Sequence, residues 1–169
     1  YQVVAVGVVP GIDEELEPEE IAEIAAGIEP TDGIFYPGIV QMNYMTGELI
    51  KSYGNAPKMI IAMFDMGGSI NTVEFHSEYH GHEDSPKELL EAIDKLDVDF
   101  SPRQIAHVAT LSALANQKLV PKPHLEEIIK YSATLGALGV NVAHSGTMVG
   151  VLFAPDESMK HVMEAVEKI

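Results

Sequence analysis

A chain of 169 residues, 46% of them hydrophobic, can bury one good core or two small ones and is too apolar to stay disordered. Its 26 acidic and 10 basic residues leave a net charge of −16, which repels a phosphate backbone over most of the surface and argues against a nucleic-acid partner. No apolar run approaches the roughly 20 residues that span a bilayer, no secretory signal is visible, and the lack of cysteine excludes disulfides and thiolate metal sites, which together fit a cytoplasmic protein with no membrane partner.

Tyr1–Val9 is apolar, has no cap, and reads as the body of a helix whose start lies upstream; Pro10-Gly11 stops it. Glu17-Pro18-Glu19-Glu20 opens the next helix with acidic residues suited to the positive end of the dipole. Ile21, Ile24, Ala25 and Ile28 form one apolar face of that helix. It ends at Ile28-Glu29-Pro30-Thr31-Asp32-Gly33, a turn with two carboxylates and a threonine. Ile39–Tyr44 and Leu49–Tyr53, joined through Met45-Thr46-Gly47-Glu48, read as a hairpin. Gly54-Asn55-Ala56-Pro57 is the best domain boundary, dividing residues 1–55 from 56–169.

Lys58–Asp65 reads as a buried strand, and Thr72–His82, beyond Gly67-Gly68, as a polar extended segment. Ser85-Pro86 opens a helix to about Leu96, Ser101-Pro102 another to about Gln117, and Pro121–Pro123 introduces a third, Leu125–Leu135, closed by Gly136. Val140–Ala143 and Thr147–Phe153 are two apolar strands around the polar tripeptide His144-Ser145-Gly146, in which Gly146 supplies positive φ or room for a close neighbour. An amphipathic helix, Pro155–Ile169, follows. From residue 58 the order is strand, helices, strand, strand, helix. That predicts an α+β chain whose second domain is a ferredoxin-like βαββαβ unit with its last strand missing.

Three clusters offer chemistry. Glu29 and Asp32, placed just after a helix, present carboxylates that suit a base or a magnesium ligand, or simply stabilise the turn. His76, Glu78, His80 and His82 alternate along one strand face and suit zinc or iron, or form a solvated face opposite Phe75 and Tyr79. In Ala109-Thr110-Leu111-Ser112 the hydroxyls of Thr110 and Ser112 can bond a ligand or the preceding helical turn.

Four segments in order, Ile28-Glu29-Pro30-Thr31-Asp32, Ala109-Thr110-Leu111-Ser112-Ala113, Leu119-Val120-Pro121-Lys122-Pro123 and Asn141-Val142-Ala143-His144-Ser145-Gly146, resemble the L-threonine kinases of adenosylcobalamin (vitamin B12) biosynthesis, a branch of the GHMP kinase superfamily. The resemblance runs over essentially the whole chain, is most distinctive at Glu-Pro-Thr-Asp and Ala-His-Ser-Gly, and is vague across residues 45–100. It implies a two-domain GHMP fold, with 1–55 the remainder of the N-terminal domain and 56–169 the ferredoxin-like C-terminal domain. The implied reaction is transfer of the γ-phosphoryl of ATP, with Mg2+, to the hydroxyl of L-threonine, giving L-threonine O-3-phosphate for the cobalamin nucleotide loop. By the same resemblance Asp32 is the catalytic aspartate; Glu29, one turn earlier, is the competing candidate for the base or instead a magnesium ligand. Thr31, His144, Ser145, Gly146 and Thr110 lie beside substrate or phosphate, in a cleft between Asp32 and Ser145-Gly146.

GHMP kinases cradle ATP phosphates with a Pro-x-x-x-Gly-x-(Ala/Ser)-Ser-Ser loop at a helix N-terminus, and no such loop occurs in this sequence. The resemblance sets Tyr1 just downstream of it. The chain is therefore expected to be a fragment whose phosphate loop lies on a complementing N-terminal segment, and alone to bind ATP poorly. Two other functions stay open: a non-catalytic ferredoxin-like module that binds an amino acid or regulates a partner, and a GHMP kinase acting on another small alcohol such as homoserine. One methyl group contributes only about 1–3 kcal/mol of discrimination, so pattern does not separate threonine from serine.

Overall fold

The computed structural model describes residues 16–28, 33–68, 86–97, 100–118, 120–143 and 146–169. The helix read into Tyr1–Val9 and the extended segment Thr72–His82, with His76, Glu78, His80 and His82, lie outside them. The chain divides into two compact units, Tyr1–Asn55 and Ala56–Ile169. The described residues form five α-helices and two small antiparallel sheets, an α+β arrangement.

In the first unit, helix α1 (Pro18–Ala26) starts where Pro18 pre-sets φ and Glu20 turns back to accept the Glu17 N–H at 2.9 Å. A 3₁₀ turn, Gly33–Phe35, leads into an antiparallel hairpin of β1 (Ile39–Met42) and β2 (Leu49–Gly54). The hairpin turn lies directly against α1: Gly47 has φ +79°, and a Cβ there would meet the carbonyl of Ala22 and the amide nitrogen of Glu23. Tyr36, buried, donates its hydroxyl to the Gly47 carbonyl at 2.7 Å and fixes that approach. The helix therefore buries small Ala22. Of the apolar face read from sequence, Ile21 and Ala25 are half-buried, while Ile24 is 57% and Ile28 76% exposed.

The second unit contains β3 (Ile60–Asp65), α2 (Lys87–Asp94), α3 (Pro102–Asn116), α4 (Leu125–Thr134), β4 (Gly139–Val142), β5 (Met148–Phe153) and α5 (Met159–Val166). Its sheet runs β3-β5-β4, antiparallel throughout, with the last strand in sequence in the centre. That is the order of the first three strands of a ferredoxin-like unit, as the strand–helix–strand pattern predicts. Val140, Val149, Val151 and Phe153 present one sheet face to Ala113, Leu125, Ile128, Val162 and Ala165 of the helices, forming the core.

β3 is not the buried strand that its apolar run suggests. Ile60, Ala62 and Phe64 pack on the core, whereas Ile61 and Met63 on the opposite face are 49% and 71% exposed. Among the described residues it is a two-faced edge strand, paired on one side to β5.

Helix ends follow local chemistry. Ser101 caps α3 with a bond from the Gln104 amide, while the Gln104 side chain accepts the Ser101 N–H at 2.8 Å. Gly136, with φ +87°, closes α4, and the ring of His161 on α5 bonds the Leu135 carbonyl at 2.9 Å. Among the described residues no helix is long and apolar enough to cross a membrane.

Candidate functional site: the turn between β4 and β5

Of the candidate residues around the β4–β5 connection, Gly146 is described, together with the strand ends that hold it. β4 and β5 face each other from Gly139↔Leu152 to Val142↔Val149, and the Ala143 N–H donates to the Met148 carbonyl at 2.9 Å to close the hairpin. Gly146 follows. A Cβ there would lie 3.1 Å from the Cβ of Ala143.

β3 grips the same turn from the other side. Asp65 pairs with Met148, and one step beyond the strand the Met66 N–H donates to the Thr147 carbonyl at 3.1 Å. The Thr147 hydroxyl donates to Asp65 Oδ1 at 2.6 Å, and the Gly67 N–H donates to the same oxygen at 3.0 Å. Both bonds favour the ionised carboxylate. The Thr147 hydroxyl first and the Gly67 amide second hold its pKa below the ordinary value.

Asp65 and Thr147 are residues that pattern reading missed. The available signals were a carboxylate ending an apolar strand just before Gly67-Gly68, and a hydroxyl directly after Gly146. Joining them requires the β3–β5 register, which spans 82 residues.

Thr110 stands elsewhere. Its hydroxyl donates back to the Ala106 carbonyl at 2.8 Å and accepts the Val140 N–H at 2.9 Å, so both roles of the oxygen are taken by the protein. It thereby satisfies the outer edge of β4, against which α3 packs so closely that a Cβ on Gly139 would overlap the Ala106 carbonyl. The turn lies at the other end of that strand, with roughly 10 Å of extended chain between Val140 and Ala143. Thr110 also borders a cavity of about 150 Å³ with His107, Ser132 and Leu138.

The other sequence-derived candidates, Glu29, Thr31, Asp32, His144 and Ser145, lie outside the described residues, and with them the expected cleft. Among the described residues no three His, Asp or Glu side chains converge to hold a metal ion. The segment Val120–Pro123 is described. Gln117 clamps it by donating Nε2–H to the Lys122 carbonyl and accepting the Lys122 N–H, both at 2.7 Å, which buries the lysine stem.

Residues 89–169 match the model of the GHMP kinase C-terminal family. That matched stretch belongs to the second unit. The hairpin just described, with α3, α4 and α5, lies within it.

The chain is also similar to two curated proteins named L-threonine kinase. With that of Citrobacter freundii it is 24% identical over 143 residues, covering 82% of this chain and 50% of that protein. With that of Salmonella typhimurium it is 22% identical over 153 residues, covering 88% of this chain and 51% of that protein. The chain thus spans about half the length of the curated relatives it matches. Both alignments are longer than the whole second unit, so each extends into the first. No solved structure gives a significant match.

Proposed function

We propose that this protein is an ATP-dependent small-molecule kinase that phosphorylates the side-chain hydroxyl of L-threonine to L-threonine O-3-phosphate, for assembly of the cobalamin nucleotide loop. The observation that supports it is similarity to L-threonine kinases across both units, together with the match to the GHMP kinase C-terminal family in the second. In this reading the partners are ATP and L-threonine, in the cytoplasm. The phosphate loop is supplied by a segment other than these 169 residues.

Phosphoryl transfer asks the protein mainly to position its reactants and balance charge. Threonine's hydroxyl is a poor nucleophile until its proton begins to leave, so a positioned carboxylate is required. Asp32 takes that role, with Thr31 beside it. Bound Mg2+ offsets the phosphate charge, with Glu29 as its protein ligand. His144, Ser145 and Gly146 line the phosphate side, and on a surface this acidic their backbone amides, not lysines, suit an anion.

The test is direct. The purified full-length protein, given ATP, Mg2+ and L-threonine, is expected to release ADP and to form a phosphomonoester on the threonine side chain, seen by phosphorus NMR. Serine and homoserine supplied in parallel establish the acceptor. ADP release that no hydroxy amino acid stimulates refutes the reading.

A further inference from the structure

We propose that Asp65 and Thr147 form a clasp that fixes the Gly146-Thr147 limb at the start of β5, making them positioning residues for the phosphate side of the site. The consequence for turnover rests on the kinase reading above; the clasp itself rests on geometry.

Three bonds converge within three residues of strand end. The Met66 N–H to Thr147 carbonyl bond, at 3.1 Å, extends the β3–β5 ladder one step past the last paired residues, Asp65 and Met148. The Thr147 hydroxyl, at 2.6 Å from Asp65 Oδ1, is at the short distance of a hydroxyl on a charged oxygen. The Gly67 N–H, at 3.0 Å, holds that oxygen in place, so the carboxylate is itself fixed before it receives the threonine. From the other strand, the Ala143 N–H to Met148 carbonyl bond at 2.9 Å closes the hairpin beneath Gly146. The Gly146-Thr147 limb is therefore gripped from both neighbouring strands.

Asp65 is exposed, and an exposed hydrogen bond contributes little to global stability. What the clasp determines is placement: it holds one rotamer of Thr147 and, with the Met66 N–H on the Thr147 carbonyl, ties the residue after Gly146 to the end of β3. A turn that presents amides to a phosphate needs its placement set to within a fraction of an ångström, and a misplacement of about 1 Å can cost on the order of 100-fold in rate.

Four variants of the full-length protein test this: Thr147→Ser, Thr147→Val, Asp65→Ala and the double variant Asp65→Ala/Thr147→Val. Thr147→Val and Asp65→Ala are each expected to lower kcat about 10- to 100-fold. KM for threonine should move less than about threefold and the melting temperature by only a few degrees, as suits an orienting contact absent from substrate binding. The double variant should be no worse than either single one, because both remove the same bond. Thr147→Ser, which keeps the hydroxyl, should retain near-normal turnover. Additive losses, or a serine variant as impaired as the valine one, overturn the proposal, as does a lowered melting temperature with kcat intact. Amide hydrogen exchange gives a readout independent of activity: Met66 should exchange faster in Thr147→Val and Asp65→Ala but not in Thr147→Ser. If the unmodified protein does not phosphorylate threonine, the kinase reading fails, and Met66 exchange still decides the clasp. Unchanged exchange in Thr147→Val removes it.

Discussion

Thr110→Val separates a structural hydroxyl from a substrate contact. Valine has nearly the shape of threonine, so the substitution leaves the packing of α3 on β4 in place and removes only the oxygen. That oxygen accepts the Val140 N–H at 2.9 Å, and Val140 is completely buried. α3 packs on this edge of β4, with Gly139 pressed against the Ala106 carbonyl, so little space is left at the amide for a replacement acceptor. A buried donor left unpaired costs about 1–3 kcal/mol. In a unit of this size each kcal/mol lowers the melting temperature by about 4 °C, so Thr110→Val is expected to melt about 4–12 °C lower. Calorimetry gives the global value, and amide exchange at Val140 gives the local one, which should accelerate in step. Thr110→Ser keeps the acceptor and should lose less than about 1 kcal/mol, the contribution of one methyl. The reasoning fails if Thr110→Val melts within about 2 °C of the unmodified protein. If stability is kept while KM for threonine alone rises, the hydroxyl belongs to a substrate pocket and its bond to β4 is incidental.

Three further outcomes are expected. Gly47→Ala should destabilise the first unit by about 2 kcal/mol or more, combining a left-handed alanine with overlap against α1. Gly67→Ala has the same conformational strain with open space around it and should cost only about 1 kcal/mol; equal losses would show that Gly47 does not touch α1. The Asp65 carboxyl should titrate by NMR below 3.8, and in Thr147→Val its midpoint should rise towards that value. Because the folded form holds the charged carboxylate, this stabilisation is present above the ordinary pKa and is lost as pH falls through the lowered one. An unmoved midpoint rules out Thr147 as the main cause. Under the proposed function, Asp32→Asn should lower kcat about 10²–10⁴-fold with little change in ATP affinity. If Glu29→Gln shows that loss and Asp32→Asn does not, the roles are reversed.

Where the fold was legible, the determining contacts lie a few residues apart. Ser101-Pro102 marks the start of α3 because a cap hydroxyl and a fixed φ act within one turn, and Gly136 ends α4 because a left-handed residue is needed there. The two antiparallel hairpins are likewise short-range, and their order around the helices made the ferredoxin-like arrangement predictable. What was not legible depends on which surface meets which. Ile60–Met63 is equally apolar whether one face or both are covered, and only the sheet order shows that Met63 faces outward. Ile24 and Ile28 lie on an apolar stripe, but α1 packs through Ala22 because Gly47 allows backbone-to-backbone approach, which a large side chain would prevent.

Polar side chains make the distinction sharper, since each has several partners within reach and burial decides among them. The back-bond from Thr110 to Ala106 is a local option that any helical threonine has. Its second bond, to an amide 30 residues later, exists because α3 runs along the open edge of β4, where an unpaired N–H would otherwise be buried. Thr147 and Asp65 show the same logic at the far end of the sheet, where the turn carrying Gly146 meets the last residue of β3. In both cases a hydroxyl completes a strand where regular pairing stops. Substituting such a hydroxyl should therefore be read first through its strand, by exchange at Val140 or Met66, and only then through turnover. A change in turnover with exchange unaltered at both amides would place the hydroxyl's role in ligand contact instead.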